Sequence, residues 1–422
     1  MDLDIGTDGQ RLAELRSGVS AKSILDSVNY WPYVSGMVDD DAAIAASPAA
    51  AAILTALVTM GPQSRVTLAR KLGLSSAAVT KAARPLIDAG YLAELDATER
   101  SGPGAGRPAS PLIVQADREY FVGVKLTGDE LIGVVCDLTA QVRAVVHRRL
   151  GSSAVDDVLT EIAAIVGDLL DGPDDYRART RRLGLAVSGD VDRAAGLVRY
   201  SPFLRWRNVT LAKLAAAATG LIVTVENDVK ALTTAEHWFG EGAGADSFAL
   251  VTVGTGIGCG LVVNGRPVSG AHGVAGEIGH LCVDAAGPPC HCGSRGCVEA
   301  IAGTAPIVAA AQAASGRDGL TIDDAYALAR GGDREVSAVF AKAGEAIGLA
   351  IAAVANLVGP ARIVVSGEGL CAYDLFEPHI RAGFQRQAFG AAADCPLSIR
   401  TLPFEEWARG AATVSIKALV AS

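Results

Sequence analysis

Two features that direct proteins to membranes are missing from this sequence. Its 422 residues contain no uninterrupted apolar run of the roughly 18 residues that a transmembrane helix needs. The first residues, MDLDIGTDGQRLAELR, are acidic and polar, whereas a secretory signal is basic and then apolar. We therefore expect a cytoplasmic protein without a membrane partner.

Positive charge is also in short supply. The 37 basic side chains face 46 acidic ones, and the resulting net charge of −9 argues against binding to nucleic acid. The distribution changes this conclusion, because residues 47–110 carry seven basic and four acidic side chains. Local charge decides contact with phosphates, so the sequence predicts a small basic module on an acidic body.

Length and periodicity predict three segments. A chain of this length exceeds one ordinary core, and its 50% apolar content excludes wholesale disorder. Residues 1–46 show no sustained period, which predicts a flexible arm. Residues 47–115 contain three short helical patterns and a hairpin. Residues 119–422 alternate apolar strands with helices, which is typical of an α/β domain with two lobes around a cleft.

Serine and glycine residues mark the helices of the second segment. Ser47, Ser64 and Ser75 are placed to cap three helices, and Gly61 and Gly73 to end the first two. Residues 91–95 and 109–114 predict the strands of a hairpin with a glycine-rich tip. These elements in this order predict a winged helix-turn-helix.

The third helix and the hairpin tip predict a DNA-binding surface. One helix face is small and hydroxylated near its start and basic toward its end, which suits entry into a major groove. The predicted DNA-binding residues are Ser76, Ala77, Thr80, Lys81, Arg84 and, at the tip, Arg107. A protein-interaction module with a solvated basic face is the alternative.

Two features of this segment oppose DNA binding. Pro85 lacks an amide hydrogen and should kink or end the third helix. The acidic residues Glu94, Asp96 and Glu99 beside the hairpin tip would repel phosphates unless they face away.

Four ligand-type side chains crowd into the string GEIGHLCVDAAGPPCHCGSRGC. One imidazole and three thiolates in a glycine-rich loop predict one closed, tetrahedral structural zinc site per chain. The predicted ligands are His280, Cys290, Cys292 and Cys297. His291 lies between two ligating cysteines and should point outward, and Cys282 lies on the wrong alternation to join the set.

Polar residues follow a buried strand and flank the cysteine string. Glu226, Asn227 and Asp228 come where the apolar strand LIVTV ends, an arrangement typical of ligand sites in α/β folds. Glu277 and Glu299 lie close to the zinc ligands in sequence. Each carboxylate can accept from two hydroxyls, so the set predicts a site for a hydroxyl-rich ligand.

The segment LVTVGTGIGCGLVVNGRPVSGAHGVAGEIGH, with the Cys-His-Cys string behind it, strongly resembles the ROK family of repressors, open reading frames and sugar kinases. The likeness covers residues 47–422. It implies an N-terminal all-α module with a wing, followed by an α/β actin-like ATPase fold. One lobe would take residues 119–241 with the C-terminal helix, and the other residues 242–404.

The resemblance also implies the roles of single residues. The sugar would be bound by Gly189, Asn227, Asp228, Glu277, His280 and Glu299, with His280 touching sugar and zinc from opposite ring edges. In the family's kinases, the residue matching Asp228 is the general base.

The first strand departs from the family's kinases. They carry a D-x-G-G-T turn that approaches the ATP phosphates, whereas this chain has Lys125, Thr127 and Asp129 at three of the five positions. A side chain at Thr127 blocks close approach, and Asp129 repels phosphates. We therefore expect no ATP binding, no catalytic residue and no enzymatic activity.

These features together predict a sugar-responsive transcriptional regulator, a repressor of carbohydrate uptake or catabolism genes. Its expected partners are an inverted-repeat operator, a sugar or sugar-phosphate effector, and further copies of itself in a homodimer or homotetramer. An active sugar kinase that retains a DNA-binding domain is one alternative, and a protein-binding regulator is another.

Overall fold

The computed structural model describes residues 42–45, 47–95, 110–172 and 175–421. The predicted flexible arm lies outside these residues except for helix α1, Ala42–Ala45, in which Ile44 is fully buried. Helix α1 packs in the core of the segment that follows, so ordered structure begins before residue 47. Arg107, Asp96 and Glu99 also lie outside the described residues.

The N-terminal module, residues 42–95 and 110–114, contains the three predicted helices: α2 Pro48–Met60, α3 Arg65–Leu72 and α4 Ser76–Asp88. Each predicted serine cap is confirmed, because its side chain accepts the amide three residues on. Strands β1 Leu92–Glu94 and β2 Leu112–Val114 then pair antiparallel, as expected for the hairpin.

Of the two effects predicted for Pro85, a kink or the end of the third helix, the second is wrong. Helix α4 does not end there but continues to Asp88, with Val79, Ala83 and Leu86 buried on one face. Burying such apolar side chains stabilises by about 1.5–3 kcal/mol for each large one, which is comparable to the cost of a helical proline. Packing therefore holds the helix together past Pro85.

The described residues form two compact units. The first holds the N-terminal module, the chain up to residue 246, residues 264–266 and residues from 404 onward. Its main sheet has the order β10-β6-β3-β4-β5, and strands β3, β6 and β10 run parallel. The strands are β3 Tyr120–Leu126, β4 Glu130–Asp137, β5 Val142–Arg149, β6 Thr180–Val187 and β10 Ile222–Asn227.

Helices and a small sheet surround this main sheet. The small sheet contains β7 Asp190–Asp192, β8 Leu197–Ser201 and β9 Trp206–Val209. The helices are α5 Val155–Leu170, α6 Tyr176–Arg179, α7 Leu211–Thr219 and α8 Asp228–Phe239. Strands β3 and β4 pair antiparallel as a hairpin.

The second unit, residues 247–263 and 267–403, contains a sheet of order β13-β12-β11-β14-β15. Its strands are β11 Phe248–Val253, β12 Ile257–Val263, β13 Arg266–Pro267, β14 Arg362–Ser366 and β15 Leu397–Ile399. Its helices are α9 Val298–Ala302, α10 Thr304–Ser315, α11 Ile322–Arg330, α12 Arg334–Val358 and α13 Tyr373–Gln387. Among the described helices, α12 alone has the length and apolar composition of a membrane span, and it lies in this unit's core.

Helix α14, Glu405–Ala421, closes the first unit. Its backbone lies so close to β3 and β6 that a Cβ on Gly123 or Gly184 would collide with the carbonyl oxygen of Ala408 or Ala411. The same helix shares one hydrophobic core with helix α2 of the N-terminal module. The module is therefore packed against the first α/β unit and is not tethered to it by a linker alone.

Gly184→Ala should lower the free energy of unfolding by about 3 kcal/mol or more, because the added methyl meets backbone that cannot rotate away. The matched control is Gly167→Ala in helix α5, where a Cβ meets no atom within 4 Å. This control should raise stability by about 0.5–1 kcal/mol. Urea denaturation measures both, and equal stability of the two variants would contradict the proposed seating of α14.

Candidate functional site

The predicted sugar-binding residues fall in both units. Gly189, Asn227 and Asp228 belong to the first unit, and Glu277, His280 and Glu299 to the second.

Asn227 ends strand β10 and caps helix α8. Its side-chain oxygen accepts the Lys230 amide at 3.2 Å, and its Nδ2 donates to the Gly189 carbonyl oxygen at 3.0 Å. Gly189 has a φ of 123°, and a Cβ there would collide with the Tyr200 carbonyl oxygen. Asn227 therefore holds the Gly189 turn against the N-terminus of α8, where Asp228 follows.

Asp228 forms a buried ion pair with Lys125. The Lys125 Nζ donates to Asp228 Oδ2, and the two side chains are only 6% and 9% exposed. Ser188 completes the cluster, because its hydroxyl accepts from Lys125 at 3.0 Å and donates to Asp228 at 2.5 Å. The lysine that replaces the family's aspartate thus contacts the residue in the position of the kinase base.

The charge state of Asp228 follows from these contacts. Burial by itself raises the pKa of this carboxyl, but the charge and hydrogen bond of Lys125, with hydrogen bonds from Ser188 and the Val229 amide, hold the pKa below its usual value. A carboxylate with a lowered pKa is a weaker proton acceptor. Its Oδ1, which accepts the Val229 amide at 2.9 Å, can still accept from a ligand hydroxyl.

The turn after β3 is held by hydrogen bonds between its own residues. The Thr127 hydroxyl oxygen accepts the Glu130 amide at 2.9 Å and the Asp129 amide at 3.4 Å. The Thr127 amide in turn donates to the Glu130 carbonyl oxygen at 2.9 Å. The backbone amides of Thr127, Asp129 and Glu130 are therefore used within the turn and are not free to bind a phosphate.

The glycine turn of the second unit, Gly254 to Gly256, also carries a carboxylate. Glu368 Oε1 accepts the Thr255 amide at 2.6 Å, and a Cβ on Gly254 would collide with the same carboxyl group. Sequence analysis missed Glu368, which lies 113 residues from Thr255 and belongs to no motif. A fixed negative charge at this amide opposes the binding of phosphate oxygens.

The four predicted metal ligands lie together. The ligand atoms of His280, Cys290, Cys292 and Cys297 all lie within 4.8 Å of one another. The Cys290 sulfur is 3.6 Å from His280 Nδ1, and the Cys292 and Cys297 sulfurs are 3.8 Å apart. A tetrahedral site with bonds of about 2.3 Å needs sulfurs about 3.8 Å apart, so this cluster could hold a metal ion.

Glu299 is held by two partners at the start of helix α9. Its Oε2 accepts the Ile257 amide at 3.1 Å, and its Oε1 lies 2.6 Å from His291 Nε2. His291 is 50% exposed, which agrees with its predicted outward position. Its ring nevertheless contacts a carboxylate that is predicted to bind sugar. The alternation of the Cys-His-Cys string indicated exposure but could not indicate this partner.

The five predicted DNA-binding residues of helix α4 are all exposed on the face opposite its buried residues: Ser76, Ala77, Thr80, Lys81 and Arg84. Arg84 pairs with Asp88 at 3.0 Å, and both side chains are more than half exposed. Glu94, predicted to repel phosphates, pairs with Arg65 at 2.5 Å. Its charge is therefore partly neutralised within the module.

A helical N-terminal module joined to an α/β body of the actin-like type, with a Cys₃His cluster in the second unit, defines the class of protein. The model of the ROK family matches residues 121–417. The chain belongs to the ROK family.

The chain is similar to both transcriptional regulators and kinases. The chain is 31% identical over 353 residues to the DNA-binding transcriptional dual regulator NagC of Escherichia coli, a match that covers 81% of this chain and 85% of NagC. It is 37% identical over 189 residues to a glucokinase of Thermotoga maritima, which covers 44% of this chain and 58% of the kinase.

The solved structures that resemble this chain also include a transcriptional regulator and a kinase. A ROK family transcriptional regulator described as a homologue of the Escherichia coli MLC protein superposes with a TM-score of 0.74 at 28% identity, covering 91% of this chain and 97% of that one. The Streptomyces griseus ROK glucokinase with glucose and AMPPNP has a TM-score of 0.61 at 27% identity, covering 70% and 99%.

The Lys125–Asp228 pair generates a prediction about stability. Lys125→Met and Asp228→Asn should each lower the free energy of unfolding by about 3–5 kcal/mol, because each leaves one buried charge without its partner. The double variant should lose less than the sum of the two losses. Urea denaturation of the four proteins gives this cycle, and strictly additive losses would show that the two charges do not interact.

Proposed function

We propose that this protein is a sugar-responsive, DNA-binding transcriptional regulator that represses carbohydrate uptake or catabolism genes. The observation that carries the proposal is the fusion of a helix-turn-helix module with a ROK body, matched along 81% of the chain by a transcriptional regulator. Such a protein would act in the cytoplasm, where its operator lies.

The DNA-binding surface is the exposed face of helix α4. Its small residues, Ser76, Ala77 and Thr80, allow close approach to a major groove, and Lys81 and Arg84 supply charge for phosphates. Arg107 would contact the backbone or minor groove from the wing. In this proposal the N-terminal module is a winged helix.

The effector is a sugar or sugar phosphate. Its ligands would be Gly189, Asn227, Asp228, Glu277, His280 and Glu299. Support comes from the buried, oriented state of Asp228 and from the two hydrogen bonds that fix Glu299. Oriented carboxylates suit hydroxyl-rich ligands because each accepts more than one hydroxyl.

The protein acts without ATP and is not an enzyme. The self-closed Thr127 turn, the Glu368 carboxylate on the Thr255 amide and the pairing of Asp228 with Lys125 all favour this over an active sugar kinase. Kinase relatives do exist, but the glucokinases of Thermotoga maritima and Streptomyces griseus match 44% and 70% of this chain, whereas the two regulators match 81% and 91%.

The protein is a homodimer or homotetramer on an inverted-repeat operator. A single winged helix makes few phosphate contacts, and pairing two of them on one duplex supplies both affinity and half-site spacing. Because helices α2 and α14 share one core, the module would move with the first α/β unit when sugar binds.

The metal of the Cys₃His cluster is a structural zinc ion. Three thiolates and one imidazole are the donors that zinc prefers, and the four atoms lie at distances that suit a tetrahedron. When bound, zinc would fix the loop that carries His280 and His291.

Protein purified without chelator should contain about one zinc ion per chain by elemental analysis. Cys292→Ser should lose most of this zinc, because one of four ligands is removed. Cys282→Ser, which changes an exposed cysteine outside the cluster, should keep it. Zinc-free wild-type protein, or equal zinc in both variants, would refute the assignment.

Lys81→Ala should weaken binding to a duplex recovered by in vitro selection with the full-length protein by about 1–3 kcal/mol. Lys213→Ala, an exposed lysine outside the module, should leave affinity unchanged. Fluorescence anisotropy over a range of salt concentrations measures both, and the salt dependence of Lys81→Ala should be shallower.

The sugar response is tested with N-acetyl-D-glucosamine, D-glucose, D-xylose and the 6-phosphates of the two hexoses. One of these should raise the melting temperature and change operator affinity, and the operator should change sugar affinity by the same factor. None should release ADP from ATP. Equal operator binding with every sugar, or sugar-dependent ADP release, would overturn the proposal.

A further inference from the structure

The first turns of helix α14 face two different places within the first unit. The Trp407 ring lies 5.3 Å from the Lys125 Nζ and is 7% exposed. Glu406 and Arg409, on either side of it in sequence, line a cleft beneath the N-terminal module. One helical segment therefore contacts both the Lys125–Asp228 pair and the base of the module.

The charged group of Lys125 has its contacts within the protein. Its ammonium group donates to Asp228 and Ser188 and lies over the Trp407 ring, a favourable arrangement for a buried cation. Its position therefore depends on the Asp228 carboxylate on one side and on helix α14 on the other. A ligand hydroxyl that donates to Asp228 shares the carboxylate's charge with Lys125 and so weakens the first of these contacts.

A cleft lies between the module and the α/β part of the first unit. It has a volume of about 590 Å³. Leu57, Gly61 and Ile113 line it from the module, and Gln141, Glu406 and Arg409 from the α/β part of the unit. Glu406 and Arg409 pair at 2.6 Å across one turn of α14, so they move together with that turn.

The contact between α14 and the module is apolar and buried. Ala412, Ile416 and Leu419 of α14 lie in the same core as Ile53 and Leu54 of helix α2, and all five are fully buried. Interiors packed at this density transmit a displacement because they cannot absorb it. A shift of α14 therefore reaches helix α2.

We propose that Lys125 is a positioning residue that couples occupation of Asp228 to helix α14, and through it to the N-terminal module. This inference rests on the proposed function. A sugar hydroxyl that donates to Asp228 competes with Lys125 for the carboxylate, so the lysine ammonium group shifts relative to the Trp407 ring. The first turns of α14 follow this shift and displace Glu406 and Arg409, which line the cleft beneath the module.

The test is the coupling factor, the ratio of operator affinities with and without sugar. The probes are the selected duplex and whichever of N-acetyl-D-glucosamine, D-glucose or D-xylose, or a hexose 6-phosphate, raises the melting temperature most. Wild type should show a factor of about 5 or more. Lys125→Met and Trp407→Leu should reduce it to below about 2, whereas Trp407→Phe, which keeps a ring face, should retain it.

Two controls separate coupling from general damage. Trp407→Leu should keep operator affinity without sugar, and sugar affinity without DNA, within about threefold of wild type. Lys213→Met, an exposed lysine of the same unit, should keep the full coupling factor. Wild-type coupling in both Lys125→Met and Trp407→Leu would overturn the inference, whereas a wild type without coupling would overturn the proposed function itself.

Tryptophan fluorescence provides a second readout that needs no destabilised variant. The chain has four tryptophans, and Trp407→Phe removes one of them. The sugar-induced change in emission should be present in wild type and largely lost in Trp407→Phe. An equal change in both proteins would show that sugar does not alter the surroundings of Trp407, and would contradict the inference.

Discussion

Helix α14 packs backbone against backbone on strands β3 and β6, and the two parts of the first unit depend on this contact. Glycine at positions 123 and 184 permits it, because any side chain there would collide with the helix. The other side of α14 lies in one core with helix α2 of the N-terminal module. Helix α14 thus joins the N-terminal module to the sheet whose strand β10 directly precedes Asp228.

Ion pairs and hydrogen bonds within the α/β units occupy several polar groups that correspond to substrate-binding groups of a sugar kinase. In a sugar kinase, the general base and the amides of the phosphate turns face the substrates. Here Asp228 is paired with Lys125, the Asp129 and Glu130 amides are bound by the Thr127 hydroxyl, and the Thr255 amide is bound by Glu368. Asp228 and these amides therefore already have partners within the protein, and the oriented carboxylates could accept hydroxyl groups.

The Cys₃His cluster has a similar supporting role in the second unit. It lies in a loop without long regular elements, and a metal ion there would fix the loop in one arrangement. His291, between two of the cysteines, reaches Glu299 at 2.6 Å. Metal binding and the orientation of a predicted sugar ligand are thus properties of the same short segment.

Local chemistry made much of this protein predictable from its sequence. Serine caps and glycine stops act over three or four residues, so the helices of the N-terminal module could be predicted, as could the ligand-type spacing of the Cys-His-Cys string. Pro85 shows the limit of local rules, because burial of one helix face outweighed the lost hydrogen bond. The partners of Lys125 and Thr255 lie 103 and 113 residues away, and sequence spacing holds no information about such distances. Only the folded sheets, which bring the ends of distant strands together, decided that a lysine neutralises Asp228 and that a glutamate covers the second glycine turn.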